Sequence, residues 1–222
     1  MPTRDIKTAR ILVVDDNEMN RDLLARRLER LGFTVDTAAG GQSGLDMILS
    51  SEYQLVMLDI MMPDIEGLTV LNRVRSVYSK TELPIIMATA KDEGSDVAEA
   101  LSLGANDYVT KPLDFKVVRA RVENVLGYAQ AVSELTQTNE RMNRDLEAAA
   151  LVQASLLPNE DIDIEGAEFI WQYRPCDELA GDGLNVFRRD SEHVAMYVMD
   201  VSGHGVAAAL LSVSVTHHLS QI

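Results

Sequence analysis

Cysteine occurs once in 222 residues, at Cys176. A lone cysteine excludes an internal disulfide and fits a reducing compartment. The opening residues MPTRDIKTAR hold no apolar core of the kind a secretion signal needs, and no run reaches membrane-spanning length. Basic residues are short: Lys and Arg total 20 against 35 Asp and Glu, a formal net charge of -15. Such a surface repels phosphate backbones and anionic lipid, so neither nucleic acid nor a membrane is an expected partner. A cytoplasmic location is expected. Hydrophobic residues at 46% and charged residues at 25% suffice for one large or two small domains.

The first half alternates short apolar runs with amphipathic stretches. ILVV (Ile11–Val14) is wholly apolar, as a strand buried on both faces of a parallel sheet must be. The next segment places Met19, Leu23, Leu24, Arg27 and Leu31 near one helix face, with Gly32 as its stop. FTVDTAA reads as a second strand and GQSGLDMILSS as a helix opening at Gly41. Strands follow at Tyr53–Asp59, Leu83–Thr89 and Asn106–Thr110, with helices at Leu68–Tyr78, Asp92–Leu103 and Asp114–Val125. Five such strand–helix units indicate a doubly wound five-stranded parallel sheet, an α/β fold.

Ligands of such sheets sit beyond the carboxyl ends of the strands. Asp15 and Asp16 follow the first strand, Asp59 ends the third, Thr89 the fourth, and Lys111 follows the fifth. Three converging carboxylates repel one another unless a hard cation lies between them, and Mg²⁺ suits few carboxylates with room for phosphate oxygens. A carboxylate beside Mg²⁺ can attack a phosphoryl group. Lys111 and Thr89 would then bind phosphoryl oxygens, as a point charge and a hydroxyl donor. A single aspartate at a strand end is usually a turn or cap residue. Five such residues placed together are hard to obtain by chance.

ILVVDDNEMN, VMLDIMMPDIEG, IIMATA and GANDYVTKPL together resemble the receiver domain of two-component response regulators, a flavodoxin-like fold, over residues 8–128. The resemblance implies that Asp59 is the phosphate acceptor. It implies a Mg²⁺ pocket of Asp15, Asp16 and Asp59 completed by the Met61 carbonyl. Thr89 and Tyr108 correspond to the switch hydroxyl and aromatic, and Lys111 to the phosphate-binding lysine. The Lys111–Pro112 bond is cis in relatives. The implied partner is a histidine kinase or a phosphotransfer protein.

From Leu126 strand signals vanish, and no proline intervenes before Pro158. Val132, Leu135, Asn139, Met142, Leu146, Ala149, Gln153 and Leu156 follow a heptad seam, with Asn139 and Gln153 in the a frame. A polar a position favours a parallel dimer in fixed register. A homodimer through residues 130–157 is therefore expected, against the simpler reading of an amphipathic helix packed on its own domains. Gly127 weakens continuity with the preceding helix. The expected division is a receiver at 1–126, a helical coiled-coil linker at 127–157, and a further domain from 158.

After Pro158, EFIWQYRP alternates as a strand, and LNVFRRD with HVAMYVMD reads as a hairpin around Asp190-Ser191. Asp182 lies in a Gly-flanked turn before that hairpin and Asp200 ends it, so the two carboxylates come close enough for a divalent metal. Gly-Asp-Gly is also a common turn. AALVQASLLP, DELAGDGLNVF and MDVSGHGVAAALL resemble the stress- and sporulation-type branch of the metal-dependent (PPM) Ser/Thr phosphatases. By that resemblance Asp182 and Asp200 hold Mn²⁺ or Mg²⁺, with the Val201 carbonyl as a lesser ligand. Ala180 replaces the usual first glycine, and Asn185 stands where many relatives carry an aspartate. His204 reads as a turn or cap residue, and His217 and His218 as part of a closing helix. The family needs further aspartates from a second sheet, so residues 158–222 read as the truncated N-terminal part of a partial α/β phosphatase domain.

The leading expectation is a receiver whose phosphorylation regulates a protein Ser/Thr phosphatase acting on a phosphoprotein or anti-sigma-type regulator, without phosphatase activity in this chain by itself. The alternative is a non-catalytic module that captures a regulator under the same control.

Overall fold

The computed structural model describes residues 8–90, 94–158, 166–175 and 179–219. It divides into two compact units, Met1–Thr136 and Gln137–Ile222. The expected helix start at Asp92, and Cys176, lie outside the described residues.

In the first unit five strands, β1 (Arg10–Val14), β2 (Thr34–Ala38), β3 (Leu55–Asp59), β4 (Ile85–Ala90) and β5 (Asp107–Lys111), form one parallel sheet in the order β2-β1-β3-β4-β5. Lys111 is thus the last residue of β5 rather than a loop residue beyond it. Helices α1 (Glu18–Glu29), α2 (Gly41–Ser50), α3 (Gly67–Arg75) and α4 (Gly94–Ser102) connect the strands.

Strand residues alternate between two cores because successive side chains point to opposite faces. Leu12, Val14, Val56, Leu58, Ile85 and Met87 meet Leu45 and Ile48 of α2, Val70 and Val74 of α3, and Ala100 of α4. Ile11, Val13, Leu55, Met57 and Ile86 meet Leu24 and Leu28 of α1 and Val118 and Val122 of the following helix. Each fully buried aliphatic side chain contributes roughly 1.5–3 kcal/mol. The face of α1 differs from the sequence reading: Leu24, Ala25 and Leu28 are buried, whereas Met19 and Leu23 are exposed. The i, i+4 pair Leu24–Leu28 lies on the helix face that joins the core, and Leu23 is 51% exposed beside it.

The last helix of the first unit does not stop near Val125. It is the start of α5 (Phe115–Ala154), which runs through Gly127 without a break and past the division between the units. One glycine costs a helix interior only about 1 kcal/mol, too little to end it. Leu135 and Met142 of the expected seam are 71% and 56% exposed.

In the second unit β6 (Gly183–Arg188) and β7 (Val194–Met199) pair as an antiparallel hairpin, Arg188 opposite Val194. Helix α6 (Val206–Leu219), which carries His217 and His218, buries Ala208, Ala209, Ser212 and Thr216. A Cβ on Gly183 would lie 2.9 Å from Met199 Cε and 3.2 Å from Ser212 Oγ, so α6 lies against that end of the hairpin. The strand expected at EFIWQYRP is absent. Residues 168–175 are not in a strand, Ile170 is 92% exposed, and among the described residues the sheet consists of β6 and β7. Alternation alone does not make a strand, since its backbone groups need a neighbouring strand to bond.

Candidate phosphoryl-acceptor site

Three strands deliver carboxylates and an ammonium to one edge. β1 and β3 are neighbours, and Val14 pairs with Leu58, so Asp15 and Asp59 emerge side by side. β5 is reached through β4, where Asp59 pairs with Ala88 and Ala90 with Lys111. Oxygens of Asp15, Asp16 and Asp59 come within 4.8 Å of one another. Asp15 and Asp59 are buried and Asp16 is exposed. Lys111 Nζ reaches across them, 2.7 Å from Asp59 Oδ2 and 3.0 Å from Asp15 Oδ2. The Lys111–Pro112 bond is cis.

The electrostatics are balanced against burial. Desolvation raises the Asp59 carboxyl above its ordinary range, opposed by the Lys111 hydrogen bond and charge. Burial pulls Lys111 down, but hydrogen bonds to Asp59 and Asp15 outweigh it and leave the ammonium above its ordinary range. Hard oxygen donors from three carboxylates, with a single ammonium among them, fit Mg²⁺ in chemistry and number.

The backbone around Asp59 is tightly packed. A Cβ on Gly67 would collide with the Asp59 carbonyl oxygen, and Gly67 N–H donates to Ile60 O at 2.8 Å. In the β3–α3 loop, Asp64 accepts from Gly41 N–H (3.0 Å) and Gln42 N–H (2.9 Å), which closes the start of α2. Those backbone donors, Gln42 first, with Ile65 and Gly41, hold the Asp64 carboxyl down at about 2.

Thr89 is buried on β4, one residue beyond the Asp59 partner Ala88. Tyr108 lies half-buried on β5, with the Arg121 guanidinium 5.1 Å from its ring centroid and ion-paired to Asp107. The Met61 side chain, two residues beyond Asp59, is 60% exposed.

The response regulator receiver domain matches residues 11–123 of the 222. The chain belongs to the response regulator receiver family. The transcriptional activator protein IrlR of Burkholderia pseudomallei is 40% identical over 122 residues, covering 55% of this chain and 52% of that protein. The alkaline phosphatase synthesis transcriptional regulatory protein PhoP of Bacillus subtilis is 36% identical over 151 residues, covering 68% and 61%. A solved response regulator receiver domain protein from Methanospirillum hungatei is 27% identical with a TM-score of 0.53, covering 56% of this chain and 98% of that one. The chain thus spans between half and two thirds of the length of these two curated relatives. Both are named as transcriptional proteins, whereas the sequence pointed to a phosphatase output and away from nucleic acid. Receiver domains bind Mg²⁺ at an acidic pocket, which here is the cluster of Asp15, Asp16 and Asp59.

The second unit places Asp182 and Asp200 at one end of its hairpin. Asp182 precedes Gly183 and Asp200 follows Met199, and these two residues pair, so both carboxylates leave the open end of the hairpin. Both are exposed, and among the described residues no third acid, His or Cys joins them. A Cβ on Gly181 would come within 2.7 Å of the Val201 carbonyl oxygen, which brings the two loops together. Asn185 Oδ1 accepts from the Val186 N–H at 2.8 Å. His204 is exposed between Gly203 and Gly205, whose φ values of 115° and 77° only glycine adopts readily.

The sequence missed the contacts of two residues, one in each unit. Gln153 is not on an open seam: it is buried, donates from Nε2 to Ala180 O at 2.6 Å, and accepts from Ala180 N–H at 3.1 Å. A buried glutamine whose amide bonds both the N–H and the C=O of Ala180 is engaged within its own unit rather than presented to a second helix. Arg21 was also missed, although a basic residue just inside the start of α1, where the helix dipole favours acids, is a signal that a specific contact holds it.

Proposed function

We propose that this chain is a phosphorelay response regulator in which Asp59 takes a phosphoryl group from a histidine kinase or a phosphotransfer protein. The observation that carries the reading is the Lys111 ammonium bonded to both Asp59 and Asp15 at one sheet edge. An Asp59 carboxylate oxygen attacks phosphorus. The new O–P bond forms as the donor P–N bond of a phosphohistidine breaks, and the departing imidazole takes a proton from water. Lys111 follows the incoming phosphoryl oxygen, and the Thr89 hydroxyl donates to a second. Asp15, Asp16, Asp59 and the Met61 carbonyl hold Mg²⁺, which when bound supplies positive charge against the oxygens of the transferring group. Tyr108 follows Thr89 and reports the change to α5.

The output in this reading is the second unit, a PPM-type Ser/Thr phosphatase portion with Asp182, Asp200 and the Val201 carbonyl as its Mn²⁺ or Mg²⁺ ligands. The shared exit of both aspartates from the hairpin supports it. A capture module without catalysis, binding a phosphoprotein or an anti-sigma-type regulator, is the second reading. It is favoured by the lack of a third acidic ligand near Asp182 and Asp200 among the described residues. The division proposed is a receiver at 1–126, a helical linker at 127–157 and the output portion at 158–222, in the cytoplasm.

The test is incubation of the full chain with acetyl phosphate and Mg²⁺, with phosphoprotein resolved on a phosphate-affinity gel. A hydroxylamine-labile band lost in Asp59→Asn is expected, and equal labelling of that variant overturns the reading. Binding of Mn²⁺ by the chain, read by isothermal titration calorimetry and lost in Asp182→Asn, selects the metal-holding phosphatase portion over capture.

A further inference from the structure

Asp15 and Asp16 are adjacent, yet their carboxylates meet at one point with Asp59. In an extended strand neighbouring side chains diverge to opposite faces. The chain must therefore bend sharply between β1 and α1, and something must hold that bend. Asp15 N–H bonds to Ala38 O at 3.2 Å, which ends the strand pairing. Asp15 Oδ1 accepts from Asn17 N–H at 2.9 Å, and Asn17 Oδ1 caps α1 through Asn20 N–H at 3.1 Å. These contacts leave the carbonyl oxygens of Asp15 and Asp16 to be held. Both face Arg21: its Nη1 donates to Asp15 O at 2.8 Å and, at longer range, to Asp16 O at 3.4 Å. Arg21 sits in the first part of α1 and is half-buried.

We infer that Arg21 is a positioning residue for Mg²⁺. By fastening two successive carbonyls on the far side of the bend, it turns both aspartate side chains toward the ion. The inference rests on the reading of the acidic pocket as the Mg²⁺ site and adds a residue to it. Two roles for an arginine here predict opposite signs. As a mere positive charge beside the pocket, Arg21 would repel Mg²⁺, and its removal would tighten binding. As the holder of the bend, it preorganises the ligands, and its removal weakens binding. Loss of a group that orients metal ligands typically costs about tenfold or more in metal affinity.

The experiment titrates Mg²⁺ into the full chain and follows backbone amide shifts of Asp16, Asp59 and Lys111, which report this pocket alone. Arg21→Met is expected to weaken Mg²⁺ about tenfold with circular dichroism unchanged. Arg21→Lys, which keeps the charge and can reach one carbonyl, is expected to fall between. Equal or tighter binding in Arg21→Met overturns the inference. If Arg21→Met fails to fold, Arg21→Lys decides alone, because unchanged affinity in that variant shows that two-carbonyl holding is not needed. A parent chain with no Mg²⁺-dependent shifts at these amides overturns instead the pocket reading itself.

Discussion

Asp59 is placed where burial and charge oppose each other. Its carboxyl is raised by desolvation although Lys111 lies 2.7 Å away. A raised folded value means the native state holds the proton more tightly than the unfolded chain. That share of stability is complete below the ordinary carboxylate range and is lost as pH rises through the raised value. Without Mg²⁺, thermal melts from pH 4 upward should therefore show a fall in stability that Asp59→Asn flattens. A parent and variant with parallel profiles would contradict the burial argument. Asp64 has the opposite sign. Its carboxyl, held at about 2 by backbone donors, adds stability above the ordinary range that is lost as pH falls through that value. Asp64→Ala should lower the melting temperature at neutral pH, and the gap to the parent should close near pH 2.

At the scale of elements, α5 joins two environments. Its first turns pack Val118 and Val122 into the receiver core, while Gln153 bonds both polar groups of Ala180. Truncating Gln153 to alanine leaves a buried N–H and a buried C=O unpaired, a loss of roughly 1–3 kcal/mol for each. The Ala180 amide should then exchange with solvent faster in Gln153→Ala, while amides of β1 and β3 keep their protection. Between these ends, a Cβ at Gly127 would meet nothing within 4 Å. Gly127→Ala should therefore stabilise the helix by about 0.5–1 kcal/mol, seen as a higher melting temperature without change in receiver labelling.

For the whole molecule, the middle of α5 poses the open question of what covers it. Residues 133–145 are exposed on every face, with Leu135 and Met142 among them. A helix solvated all round gains little from packing and is marginal by itself. Self-association through Val132, Leu135, Asn139 and Met142 would cover that stripe, with Gln153 now excluded from the seam by its bond to Ala180. Sedimentation velocity should show a concentration-dependent dimer that Leu135→Lys abolishes. A monomer at all concentrations would leave the helix unpaired and overturn the dimer expected from the heptad seam.

The sequence by itself determined the sheet and its ligand edge. Wholly apolar strands ending in Asp15 and Asp59 force burial on both faces, and the parallel order then brings strand ends together. Local pattern suffices there because period-2 burial and strand-end placement are properties of short segments. Only the tertiary structure decided the rest. EFIWQYRP alternates as well as any strand here, yet among the described residues no strand pairs along it and it stays irregular. Gln153 fits a heptad by spacing, but a loop 27 residues away claims both ends of its amide. Arg21 stands out in the sequence only as a basic residue at a helix start, and which groups it holds is decided by the bend after β1 that turns two carbonyls toward it. In each case the deciding partner is distant in sequence or defined by a backbone bend, and periodicity carries no record of either.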